Sequence, residues 1–422
     1  MSPSTRRPLI AALLGTAMMA GLANTAAAGP APGYQELLNL TQDSAPRLLE
    51  GQAGIGQAQG FRTQAGARPN PAVSAELENF APTGASSGLP RAENRQSTFS
   101  ITQPIEFWGK RDARIDAGDA GVATAQARMA QIKADYAFDL AIAYIEAEAS
   151  ERRESLARET LRLAEDDGRV AGALVSSGKE AQFRQVQAQT AIAAAKSALE
   201  AARSERERAF ARLTALSGAA VPYTTIAVSL LSHADRYEPP LMPDATKSPA
   251  YLTALAAREE AARRIVVERT KPLPDVDVSL GVRTFAGTDA KALVGGIRIP
   301  IPIFDTNRGN ISAAESELAG ASARLAAARN DADAEARAAV ARARAALARI
   351  TAATEGEKAA EQAYRLTRTG YEGGKISFIE VLNTSRALAD AHANTIDARI
   401  ERLGAEAAIA RLLGTVPFGD HE

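Results

Sequence analysis

Three stretches of the chain alternate apolar and polar residues with a period of two. "VDVSLGVRTF" (276–285) sets Val276, Val278, Leu280 and Val282 against Asp277, Ser279, Gly281 and Arg283. "STFSITQPI" (97–105) puts Phe99, Ile101 and Ile105 on one face and Thr98, Ser100 and Thr102 on the other. "LVGGIRIPI" (293–301) carries Leu293, Ile297, Ile299 and Ile301 in the same rhythm. This period is that of a β-strand. With a fourth stretch, the predicted strands cover about 71–80, 97–105, 274–285 and 292–303. Each is near the ~10 residues of a tilted strand that crosses a bilayer with apolar side chains toward lipid. Phe80, Phe107, Trp108, Phe285 and Phe304 lie near strand ends, where aromatic girdles form. The same alternation also fits a half-buried sheet of a soluble domain.

The rest of the pattern is helical and very long. From Lys110 to about Asp166, and from Ile311 to about Thr369, there is no proline and little glycine. At ~1.5 Å per residue these are rods of roughly 85–90 Å, longer than a compact domain is wide. Frequent alanine lets such rods pack closely, and frequent Arg, Glu and Asp keep much of their surface wet. They predict a coiled coil or a wall of packed helices.

The pattern occurs twice. At an offset of 196, Ile115 meets Ile311, Ala127-Arg128 meets Ala323-Arg324, Asp135 meets Asp331, Gly178-Lys179 meets Gly374-Lys375, and Gly218 meets Gly414. Upstream the offset is 203: Pro46 meets Pro249 and Leu77 meets Leu280. The difference, 203 − 196 = 7 residues, falls between Leu77 and Pro104, in the Gly/Ser/Pro-rich "APTGASSGLPRAEN" that reads as a loop. A register held for over a hundred residues identifies a tandem duplication. The first repeat covers 29–218, with a helical hairpin at about 109–217 and its tip near 175–180. The second covers 248–422, with a hairpin at about 308–413 and its tip near 371–377. Residues 219–247, with Pro222, Pro239, Pro240 and Pro243, form a linker.

Composition narrows the class. The 422 residues carry a net charge of −1 and no cysteine. No basic block points to nucleic acid. Without cysteine there is no disulfide, thiolate site or Cys nucleophile, and a lipid anchor on an N-terminal cysteine is not expected. Residues 1–28 read as a secretory signal: Arg6 and Arg7, an apolar stretch from Leu9 to Gly21, and Ala26-Ala27-Ala28 before a mature start at Gly29. Beyond it no apolar run reaches the ~18 residues of a membrane helix. A membrane segment of this chain would therefore be a closed β-barrel. Four strands cannot close one, since barrels begin at about eight. Three copies give 3 × 4 = 12.

Enzyme motifs fail on inspection. "GQAGIGQAQG" (51–60) has Gln59 at the third glycine of GxGxxG, and "GALVSSGKE" (172–180) has the wrong glycine spacing and Glu180 where a P-loop has Ser/Thr. His233, His392 and His421 are scattered, with no pair at metal-ligand spacing. No catalytic, cofactor or metal site is expected.

Duplicated halves, two strand pairs and two long hairpins resemble the outer membrane factors, the TolC family, over essentially the whole mature chain. "QPIEFWGKRDARI" (103–115) resembles the strand-to-helix junction of its CzcC-type members. "GYEGGKISFIEVLNTSRAL" (370–388) resembles their hairpin turn, with Tyr371, Gly374, Lys375, Ser377, Phe378 and Leu382 in place. Lys375 stands where the drug-efflux branch usually has an aliphatic residue. The resemblance implies an α+β membrane protein: a homotrimer with a 12-stranded outer-membrane β-barrel and a periplasmic α-helical barrel. It implies a passive duct, not an enzyme, that joins a periplasmic adaptor and an inner-membrane proton-driven pump and exports divalent cations of the cobalt, zinc, cadmium and nickel class. The linker would form an equatorial belt. Drug efflux or type I secretion would keep the fold and change the cargo; a soluble periplasmic coiled-coil scaffold would keep only the helices.

Within that frame Ser176, Ser177, Gly178, Lys179, Gly373, Gly374, Lys375, Ile376 and Ser377 are the expected adaptor contacts. Asp166, Asp167 and Glu372, near the tips and tripled by symmetry, are candidates for an acidic ring on a cation path. Trp108, Gly109, Lys110, Arg111, Asn307 and Arg308 mark the two places where a strand becomes a helix, with the basic residues at headgroup level.

Overall fold

The computed structural model describes residues 29–79, 95–234, 242–288 and 290–419. The expected signal segment, Phe80 with the inserted loop, and His421 lie outside them. The first repeat contains α1 (Tyr34–Thr41), α2 (Pro46–Ala65), β2 (Ala72–Glu78), β3 (Gln96–Ile105), α3 (Lys110–Ser176) and α4 (Gln182–Ser217), preceded by the short strand β1 (Gly29–Ala31). The second contains α5 (Pro249–Thr270), β5 (Val276–Phe285), β6 (Lys291–Arg298), α6 (Arg308–Glu372) and α7 (Phe378–Leu413). Between them, β4 (Tyr223–Ile226) pairs in parallel with β1.

The four long strands form one antiparallel sheet in the order β2-β3-β5-β6, which leaves β2 and β6 as open edges. Register assembles the faces. Val73 lies opposite Ile101, Ile101 opposite Leu280, Phe99 opposite Val282, Val282 opposite Leu293 and Val278 opposite Ile297. Because side chains alternate across a strand, these residues make one continuous apolar face. Thr98, Ser100, Thr102, Ser279 and Arg283 lie on the other. The apolar face is uncovered: Leu293 is 81% exposed, and Val73, Phe99, Leu280 and Ile297 are all above half. Pairing in β6 stops at Arg298, short of the expected 303. Pro300 and Pro302 carry no N–H for a ladder, and Ile299, Ile301, Ile303 and Phe304 continue unpaired into solvent.

Below the sheet stand the rods. With 67 and 65 residues, α3 and α6 are each about 100 Å long. α2 and α4 pack along successive parts of α3, while α5 and α7 pack along both α3 and α6. Small residues set the spacing. On α6 the buried Ala332, Ala336, Ala339, Ala343 and Ala346 recur at steps of four and three, a helix-packing seam. A Cβ at Gly51 would sit 2.5 Å from the Met129 sulfur, so this glycine serves the close approach of α2 to α3, whereas Gly54, Gly56 and Gly60 have open space around them. The largest core lies at mid-height, where Leu140, Ala141, Tyr144 and Ile145 of α3 meet Tyr34, Leu37, Leu213, Leu230, Leu231 and Leu403. There the buried Glu148 accepts hydrogen bonds from the Leu230 and Leu231 amides, at 2.8 and 3.2 Å, and from the Ser229 hydroxyl. That carboxylate fastens the inter-repeat segment to the rod.

Candidate functional site: junctions, tips and the tie between hairpins

At the first strand-to-helix junction, Trp108 and Gly109 are both left-handed, with φ of +64° and +70°. Two such residues in a row turn the chain sharply from sheet to rod. Gly109 adopts this conformation freely and Trp108 does not, so the joint is held from outside. The Trp108 indole donates to the Pro274 carbonyl at 3.2 Å, Lys110 Nζ binds Asp275 at 2.9 Å, and Arg111 Nε donates to the Gly66 carbonyl at 2.8 Å. Arg114 clasps Glu106. At the second junction Asn307, φ +57°, makes the turn, and its amide donates to the Glu268 carbonyl and carboxylate at 2.8 and 2.9 Å. Lys110 and Arg111 are thus committed to the joint itself, whereas Arg308 is exposed.

At the opposite end the two tips share one backbone. Gly178 and Gly374 both have φ +72°. The Lys179 and Lys375 amides close the same six-residue loop, onto Leu174 and Gly370 at 2.9 and 2.8 Å. This is a Schellman ending, which glycine permits without strain. Ser176, Ser177, Gly178 and Lys179 are exposed, as are Gly373, Gly374, Lys375 and Ser377; Ile376 is half-buried. The bracing behind them differs. In the second tip Tyr371 and Phe378 are buried with ring centroids 5.3 Å apart. In the first, the positions 196 residues earlier are Val175 and Gln182.

The three acidic candidates are not alike. Asp167 is 3% exposed and accepts from the Tyr364 hydroxyl at 3.0 and 3.1 Å, with the Arg368 guanidinium 3.8 Å away. Burial pushes its carboxyl above the ordinary value, against the pull of Tyr364 and Arg368. Asp166 pairs with Arg169, and Glu372 with Arg368 at 3.3 Å. Each of the three therefore has a basic neighbour in its own chain. Asp167, Tyr364 and Arg368 bind α3 of one repeat to α6 of the other, a tie that sequence reasoning did not see.

His392, isolated in the sequence, is not isolated in the fold. Its Nδ1 lies 2.9 Å from Glu357 Oε1, and Glu361 stands beside them. The hairpin itself carries the signal that could have found this. Tyr371 and Phe378 face each other across the tip; Glu357 lies 371 − 357 = 14 residues before one, and His392 lies 392 − 378 = 14 after the other.

Among the described residues, no helix is long and apolar enough to cross a membrane. The largest exposed apolar face described above is that of the sheet. The sequence pattern of the outer membrane efflux proteins matches residues 37–219 and 244–415. The chain belongs to this family. Family members similar to it include the nickel-cobalt-cadmium resistance protein NccC of Alcaligenes xylosoxydans xylosoxydans, 40% identical over 325 residues that cover 76% of this chain and 72% of the relative. The cobalt-zinc-cadmium resistance protein CzcC of Cupriavidus metallidurans is 28% identical over 391 residues, or 92% and 91% of the two chains. Among solved structures, the outer membrane protein VceC of Vibrio cholerae superposes with a TM-score of 0.74 at 22% identity, over 90% of this chain and 96% of its own. CusC superposes with a TM-score of 0.78 at 18% identity, over 90% and 92%. At that identity the likeness speaks for the fold. This outer membrane efflux protein thus combines family membership with an exposed apolar sheet set on rods of about 100 Å.

Proposed function

We propose that three copies join edge to edge, β6 of one sheet to β2 of the next, into a 12-stranded outer-membrane barrel whose helices continue as a periplasmic tunnel. The carrying observation is the sheet: one apolar face left exposed, with unpaired edges on both sides. In lipid an open edge leaves backbone groups without partners, which only closure repairs. The polar face then lines the lumen. A soluble scaffold gives no role to that apolar face.

The duct performs no chemistry. Energy and selectivity come from an inner-membrane cation pump, reached through an adaptor that seats on the two exposed tips. The Asp167–Tyr364–Arg368 tie, just above those tips, is the latch that holds one hairpin against the other. The cargo is divalent heavy-metal cations. The resistance names of the relatives support this, as does Lys375 in the second tip.

Detergent-solubilised protein should have the mass of a trimer and give cation-preferring conductance in a planar bilayer. A soluble monomer without conductance would sink the channel. A deletion strain should lose tolerance to cobalt, nickel, zinc or cadmium; loss of drug tolerance alone would move the cargo to drugs.

A further inference from the structure

The second hairpin carries a cluster that the latch and the tips do not use. Glu357 and Glu361 occupy consecutive turns of α6, and His392 faces them from α7. One ligand atom from each lies within 4.8 Å of the other two. All three side chains are half-buried. Among the described residues neither carboxylate pairs with a lysine or arginine, and Glu361 has no hydrogen-bond partner. Two half-sheltered carboxylates with no lysine or arginine beside them, and only a histidine that is an ion-pair partner when protonated, are costly unless something compensates their charge.

The duplication supplies a control within the chain. In the first repeat the position of Glu361 keeps a glutamate, Glu165, but those of Glu357, His392 and Thr395 hold Leu161, Lys196 and Leu199. That seam is ordinary: Leu199 is a buried apolar residue of α4. The helices, the turn and the register are the same, so nothing in the hairpin's packing calls for Glu357, His392 and Thr395 together. In the second repeat the Thr395 hydroxyl donates to Glu357 Oε2 at 2.6 Å, leaving Oε1 turned to His392 Nδ1. A hydrogen-bonded partner that aims a carboxylate in this way is what oriented metal ligands have.

We propose that Glu357, Glu361 and His392 form a binding site for a divalent transition-metal ion, one per chain, that clips α6 to α7. One imidazole nitrogen and two carboxylate oxygens suit borderline ions such as zinc, cobalt or nickel; without thiolate or thioether the set does not suit copper(I). The ion takes the place of the hydrogen between Nδ1 and Oε1, and water completes its shell. Ligand atoms around a four-coordinate ion at ~2.0–2.1 Å lie about 3.3 Å apart, so small rotamer shifts bring the three together. The site lies 15 residues, roughly 22 Å, above the end of α6. The proposal stands on these side chains and does not rest on the cargo: a channel for another cargo would still hold the ion, and a metal channel without the site would still conduct.

The test uses the full mature chain, purified in detergent through a histidine-free tag and stripped with chelator. Titration with cobalt(II) and zinc(II), followed by calorimetry and by the visible absorption of cobalt, should give one ion per chain. His392→Lys and Glu361→Gln should each weaken binding at least about tenfold, 1.4 kcal/mol. His392→Lys installs the residue with which the first hairpin folds, so its helical content and melting temperature should match the parent without metal. No binding by the parent, or binding unchanged in the double variant, would overturn the proposal.

Discussion

The Tyr364 hydroxyl lies within 3.1 Å of both oxygens of Asp167, across the contact between the two repeats. It is a bond between residues 197 apart in sequence, buried close to the tips. Removal of the hydroxyl strands a buried carboxylate, at a cost of about 1–3 kcal/mol. Tyr364→Phe should therefore loosen the tip end and raise single-channel conductance, with little change in helical content. Equal conductance of variant and parent would remove the latch.

The same carboxyl gives a pH dependence of known sign. Its folded pKa is raised above the ordinary 3.8, first by desolvation. The folded chain thus keeps a proton that the unfolded chain has already released. The stability contribution is greatest below pH 3.8 and falls as pH rises through the folded pKa. The stability of the parent relative to Asp167→Asn should fall with rising pH over that window. Denaturant midpoints of both proteins across pH 3.5–7 measure this; an advantage that stays flat or grows with pH would contradict the raised pKa.

Tyr371 offers the converse case. Its hydroxyl is buried without a hydrogen-bond partner among the described residues, and burial pushes its pKa up to about 12. Tyr371→Phe keeps the ring contact with Phe378 and deletes an unsatisfied group. It should leave the melting temperature unchanged or raise it, whereas Phe378→Ala should lower stability by about 3–5 kcal/mol. A marked loss in Tyr371→Phe would mean that the hydroxyl has a partner in the assembled protein.

Gly178 and Gly374 allow a paired test. A Cβ at either meets nothing within 4 Å, so the only penalty of alanine is its left-handed backbone, about 1–2 kcal/mol. The two single variants should lose similar stability in chemical unfolding. An adaptor that reads the tips should bind both more weakly.

The two faces of the sheet should answer oppositely to charge. Leu280→Arg places a cation on the apolar face and should cost about 2–4 kcal/mol of insertion. Glu76→Arg, on the polar face, should be tolerated. Fractionation into outer membranes measures both; equal recovery would argue that the apolar face does not meet lipid.

Sheet and rods were legible because their signals are local. Period two in 276–285 and the absence of proline in 110–166 survive any packing detail. The duplication added the tips, since Gly178-Lys179 and Gly374-Lys375 repeat in register. β6 ends before the expected 303 because apolar alternation at Ile299 and Ile301 outlasts the N–H groups that pairing needs. The tie was not legible because it depends on which faces of two helices meet. In alanine-rich rods with charges all round, no stripe announces that face. Counting outward from the tip would have levelled His392 with Glu357; nothing comparable would have matched Asp167 to Tyr364.

One consequence of the duplicated tip concerns valence. Each chain offers the same backbone turn twice, so the proposed adaptor needs a single backbone-reading surface to grip both. The second grip is then intramolecular, and its strength follows local concentration instead of new contacts. A weak handhold, presented in pairs, becomes a firm coupling that still lets go one hand at a time.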